Sequence, residues 1–87
     1  MKITIKWDSL ISRRGVFELS RKVIEADPTL AFRILGTVLI VKAECLFYTN
    51  AIEYMAYSPM FDEQPDGAYP NHYDVVVNGE EFMFVKR

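Results

Sequence analysis

From Lys2 to Trp7, polar Lys2, Thr4 and Lys6 alternate with apolar Ile3, Ile5 and Trp7, the period-two pattern of a strand with one wet face and one core face. Downstream the period lengthens. Leu10, Ile11, Val16, Leu19, Val23 and Ile24 recur at helical spacing, with Arg13, Arg14, Arg21 and Lys22 largely on the remaining face. This spacing predicts a helix capped by Asp8 or Ser9, whose first turn Gly15 weakens. Asp27-Pro28 then predicts a second, short helix, with Asp27 as N-cap and Pro28 at the first helical position, where its missing N–H costs nothing. Leu30, Ala31, Ile34 and Leu35 line one side of that helix, and Gly36 is expected to end it in a left-handed conformation.

From Thr37 the residues become β-branched and aromatic. Lys42 and Glu44 fall on one face of a strand, while Leu39, Val41, Ala43, Cys45 and Phe47 form an apolar row expected to face inward. Thr49-Asn50 suits a turn, and Ile52–Ser58 alternates again as the returning strand; a helix across Ala43–Tyr57 is the competing reading. Ser58 to Asn71 holds three of the four prolines, Gly67, and the acids Asp62, Glu63 and Asp66, so it is read as a loop, long enough to be functional or mobile. Tyr73–Val77 and Phe82–Lys86 flank Asn78-Gly79, a dipeptide suited to a tight hairpin turn. The predicted architecture is α+β: an antiparallel sheet of about five strands with two N-terminal helices packed on one face, in the order β-α-α-β-β-β-β, as a single domain over residues 1–87.

Composition narrows the classes. At 87 residues with 51% hydrophobic content, the chain is well above the disordered range, yet buries only about 60% of its unfolded surface, which favours further burial in a complex. Cys45 is the only cysteine, so no intrachain disulfide forms and a reducing cytoplasm is the expected compartment. The N-terminal residues carry charge too early for a signal peptide, and the apolar run at Val38–Val41 is far short of a membrane span. The net charge of −2 is unevenly spread: residues 1–42 hold eight Lys and Arg against four acids, and residues 43–87 hold two against eight.

Candidate chemistry is sparse. Cys45 shares the apolar parity of its strand and is expected to be a buried small hydrophobe, with His72 the sole imidazole that could serve it as a base. His72 and Asp74 have the i, i+2 spacing of two ligands on one strand face, but a lone His beside loop acids is more simply a solvated strand end, and Glu80/Glu81 are a solvated acidic pair. No catalytic residue, metal or cofactor is assigned. Arg13, Arg14, Arg21 and Lys22, with Arg33, form the one basic cluster, which on a helix would meet nucleic-acid phosphates.

The remaining feature is aromatic and acidic: Tyr57, Phe61, Asp62, Glu63, Asp66, Tyr69, Tyr73 and Asp74 lie in and beside the proline-bearing loop. Aromatic anchors beside acids suit docking on a basic protein surface. The expected function is therefore a non-enzymatic protein-binding module, with a nucleic-acid-binding or regulatory protein using the basic helix as the alternative. In size and composition the chain is similar in broad type to small acidic phage proteins that inhibit host machinery, anti-CRISPR proteins among them. Its expected partner is another protein or protein complex, with nucleic acid second and no membrane. A homodimer through strand Phe82–Lys86 is left open, should that strand lie at a sheet edge.

Overall fold

The computed structural model describes residues 10–87; the alternating segment Lys2–Trp7 and the caps Asp8 and Ser9 lie outside them. Arg14–Ser20 is a strand, β1, where the apolar spacing predicts a helix. The difference has a physical cause. β1 is the central strand of the sheet, and Gly15, Val16, Phe17 and Leu19 are all buried. Phe17 and Leu19 alternate with Glu18 and Ser20, but the consecutive buried Gly15 and Val16 break the alternation upstream, so the short pattern also fits a helical spacing. Of the predicted helix, Leu10 and Ile11 are helical ahead of the strand and helix α1, Arg21–Ala26, follows it, where Ser20 caps α1 by accepting from the Lys22 N–H at 3.2 Å.

Helix α2, Pro28–Leu35, starts as the sequence predicts: Pro28 opens it and the Asp27 carboxylate accepts from the Leu30 N–H at 3.1 Å. Leu30, Ala31 and Ile34 are buried, whereas α1 buries no residue completely. Gly36 ends α2 with φ −71°, right-handed and not left-handed as expected. The helix is closed instead by the Thr37 hydroxyl, which donates to the Ile34 carbonyl at 2.7 Å, and by the Gly36 N–H on the Phe32 carbonyl.

Four further strands follow: β2 (Leu39–Leu46), β3 (Ala51–Tyr57), β4 (Asn71–Asn78) and β5 (Glu81–Lys86). The described residues thus form an α+β fold in the order β-α-α-β-β-β-β. They build one mostly antiparallel sheet of strand order β2-β3-β1-β4-β5, in which β1 pairs with β4 in parallel. The last hairpin turns on Gly79-Glu80, one residue later than the dipeptide predicts, because Asn78 pairs with Glu81 and Gly79 takes the positive φ of +66°. A first-position glycine of that sign suits a tight primed turn. No described helix is long and apolar enough to cross a membrane.

The core occupies one face of the sheet. Phe17 and Leu19 of β1, Tyr54 and Ala56 of β3, and Tyr73 of β4 are joined there by Leu30 and Ile34 of α2, with Phe82 and Phe84 of β5 packed against them. Phe61, from the long loop, enters the same cluster. It stacks on Tyr73 at 4.6 Å and meets Phe84 edge-on at 5.0 Å, while Phe17 stacks on Tyr54 at 5.3 Å. Such pairs add about 0.5–1.5 kcal/mol each beyond the area they bury.

Strand β2 departs most from expectation. Its apolar row is expected to face inward, yet every residue from Leu39 to Cys45 is exposed and Leu46 is half-buried. At the edge of the sheet, it has a strand neighbour on one side only among the described residues, and the core residues of α2 do not cover it.

Space for Phe61 depends on Gly15. A Cβ at residue 15 would lie 2.7 Å from Phe61 Cδ2 and Cε2, in a ring that is 1% exposed and cannot swing aside. Gly15→Ala is expected to destabilise the fold by about 1–3 kcal/mol through overpacking. In a Phe61→Ala background the same change should be close to neutral, so denaturant unfolding of the four proteins in that cycle should show strong coupling. An equal cost in both backgrounds would contradict the contact.

Candidate protein-docking site

The 58–70 segment has no regular secondary structure, yet hydrogen bonds tie its backbone down along its length. Ser58, fully buried, starts it: its hydroxyl donates to the Thr37 carbonyl and accepts from the Met60 N–H, both at 3.2 Å, and its carbonyl accepts from the Phe61 N–H at 3.1 Å. The Phe61 ring then anchors the loop in the core. Its backbone carbonyl accepts from Arg13 Nη1 at 2.9 Å, and the Pro65 carbonyl accepts from Arg14 Nη2 at 2.6 Å. The Gln64 N–H donates to the Ser12 carbonyl at 2.7 Å. Gln64 also closes the far side: its amide donates to the Tyr69 carbonyl at 2.7 Å and accepts from the Asn71 N–H at 3.2 Å.

Tyr73 connects core and loop. Its ring lies under Phe61 and its hydroxyl accepts the Asp62 N–H at 2.8 Å. A long loop is therefore held by a buried aromatic on the inside and by two arginines and a glutamine along its length.

The residues grouped in sequence separate into three places. Phe61 and Tyr73 belong to the core, so neither is available to touch a partner. Tyr57 and Asp74 lie on strands β3 and β4, Tyr57 half-buried opposite Arg14 and Leu39, and Asp74 exposed. Asp62, Glu63, Asp66 and Tyr69 remain exposed on the loop, and Met60 beside them is exposed as well. Tyr69 is 93% exposed.

Two of the acids are already paired. Asp62 meets Lys86 Nζ at 3.0 Å, and Asp74 meets Arg87 Nε at 2.7 Å. Hydrogen bonding to Asp62, reinforced by its charge, raises the Lys86 pKa, and Asp74 does the same for Arg87, with Glu18 and Glu53 adding smaller contributions. Glu63 and Asp66 have no ion-pair partner among the described residues. The free negative charge of the loop is concentrated on these two, on either side of Pro65.

The basic cluster also divides. Arg13 and Arg14 stand at the start of β1, and Arg21 and Lys22 open α1 beyond its end, about 20 Å further along the strand. They do not share a helical face, and Arg13 and Arg14 already donate to loop carbonyls. Cys45 is exposed on β2 and not buried. Strands β3 and β1 stand between it and His72 on β4, a separation of at least about 14 Å that keeps the imidazole from the thiol. Among the described residues, no group of three or more His, Cys, Asp or Glu could hold a metal ion.

Sequence reading misses two features of this surface. Arg13 and Arg14 are braces, which only their distant partners Phe61 and Pro65 reveal. A row of carboxylates also crosses the sheet face away from the core, with Glu18 opposite Glu53 and Glu53 opposite Glu44. Like charges directly opposite each other are unfavourable, and the Arg87 guanidinium feels two members of the row.

Tyr73→Phe tests the brace with little change to the core. Loss of the hydroxyl leaves the Asp62 N–H without its acceptor, and the expected cost is about 0.5–1.5 kcal/mol in denaturant unfolding, with faster amide exchange at Asp62. An unchanged stability and exchange rate would show that this hydrogen bond does not hold the loop.

Comparison with protein-family models, with curated proteins and with solved structures finds no match to this chain.

Proposed function

We propose that the chain is a non-enzymatic protein-binding module that presents the rim of its 58–70 loop to a basic surface of a partner protein. The observation that carries this reading is Tyr69, 93% exposed on a loop whose backbone is held on both sides. An aromatic side chain exposed on a fixed backbone loses little freedom on binding, so more of its contact energy appears as affinity. Glu63 and Asp66, on the same loop, add carboxylates that have no ion-pair partner among the described residues. Charge of this kind steers association with a basic surface and rejects acidic ones.

Met60 extends the apolar part of the rim, and Asp62, paired with Lys86, forms its edge. Phe61 and Tyr73 contribute indirectly by fixing the loop from below. A module that covers a basic surface blocks whatever else engages that surface, so inhibition by occlusion is the activity this arrangement supports.

The test compares wild-type protein with Tyr69→Ala and with Glu63→Lys/Asp66→Lys in capture from host lysate, after circular dichroism has shown all three folded. The expected result is a protein retained by wild type and lost from both variants, with affinity that falls as salt rises. A protein captured equally by all three would remove the loop as the docking site. Recovery of nucleic acid alone would contradict the proposal and direct attention to Arg21 and Lys22.

A further inference from the structure

The outer edge of β2 has an uncommon combination of properties. It is eight residues long, exposed along nearly its whole length, and apolar at Leu39, Ile40, Val41, Ala43 and Leu46. The turn that follows exposes Phe47 at 85% and Tyr48 at 87%. At a sheet edge, half of the backbone N–H and C=O groups point away from the neighbouring strand, where they offer a template for another strand. An edge of this kind is usually blunted by charge, and here the charges are Lys42 and Glu44, both exposed and neither in an ion pair among the described residues.

We infer that β2 is a self-association edge, pairing antiparallel with β2 of a second copy about a twofold axis at Ala43. Register carries this pairing. In a symmetric antiparallel pair, residues equidistant from the axis oppose each other on the same face of the sheet. With Ala43 on the axis, Lys42 of one copy faces Glu44 of the other, and Glu44 faces Lys42. Both charges that would otherwise blunt the edge are thereby matched, in two equivalent cross-strand ion pairs.

Beyond these pairs, the exposed apolar residues at either end of the edge, Leu39, Ile40 and Val41 on one side and Phe47 and Tyr48 on the other, flank the ladder without a fixed register. Residue Val41 is a bulge in the β2/β3 ladder, which limits the regular new ladder to Lys42–Glu44, the residues that carry the charge match. Lys42 of the second copy also brings a cation to Glu44, which within its own chain stands opposite Glu53.

The other edge, β5, lacks this match. A twofold at Met83 sets Glu81 against Val85, and one at Phe84 sets Lys86 against Phe82. Lys86 is moreover engaged by Asp62 of its own chain. Of the two edges of the described sheet, β5, whose pairing the sequence leaves open, is therefore the less suitable.

Sedimentation equilibrium on the full chain should show a reversible dimer at twice the 10.1 kDa chain mass. The interface is small, so the dissociation constant is expected on the order of micromolar. Lys42→Glu and Glu44→Lys each replace two attractive pairs by two repulsive ones and should weaken the dimer by roughly tenfold or more. The double swap, Lys42→Glu/Glu44→Lys, should restore it, and mixing the two single variants should give a heterodimer in which every pair is again opposite in sign. Ala43→Cys in a Cys45→Ser background should crosslink to a dimer on mild oxidation, because the two new thiols meet at the axis. A chain that stays monomeric to about 1 mM would overturn the inference. So would a dimer indifferent to the charge variants, or one in which the Ala43→Cys variant fails to crosslink.

Discussion

The contact between the Phe61 ring and the bare Cα of Gly15 is the constraint on which the rest of the structure depends. Gly15 lies in the central strand, and a Cβ there would occupy the space of the ring. With the ring seated, Tyr73 and Phe84 close around it and the core extends from the sheet into the loop. Without it, Ser58, Gln64 and the two arginines would have no fixed partner to brace. The loop owes its order to one aromatic side chain that leaves it and enters the core.

The legible parts of the fold are those governed by local chemistry. Asp27-Pro28 starts a helix because a carboxylate accepts the free N–H groups and proline sacrifices none, and both effects operate within one turn. The return strand at Ala51–Tyr57 and the proline-bearing loop are legible for similar reasons. The segment Arg14–Ser20 is not, because buried Gly15 and Val16 interrupt the alternation of Phe17 to Ser20 and leave too short a run to tell a strand from a helix turn. Nor is the exposure of β2: an apolar row is the same in sequence whether a helix covers it or not, and strand order decides that. At the candidate site, the acids and Tyr69 are recognisable as surface residues by type. Phe61 and Tyr73 resemble them in sequence, and only the pairing of β1 with β4 turns them inward.

The charge asymmetry of the chain resolves in the same way. Arginines from the basic half hold carbonyls of the acidic half, Arg13 on Phe61 and Arg14 on Pro65, while Lys86 and Arg87 at the end of the acidic half neutralise Asp62 and Asp74. Among the carboxylates left without an ion pair in the described residues are Glu63 and Asp66 on the loop and Glu44 and Glu53 across the sheet. One group lies on the braced loop and the other reaches the β2 edge, so the proposed docking rim and the proposed pairing edge are separate parts of the surface.

If these braces act as described, the 58–70 loop is held in the free chain and needs no partner to order it. Backbone amide ¹⁵N relaxation on the uncomplexed protein would decide the point. Order parameters for residues 60–69 are expected to lie close to those of β1 and β3, near the value of about 0.85 typical of rigid backbone. Values below about 0.6 across that stretch, with β1 and β3 rigid, would contradict it.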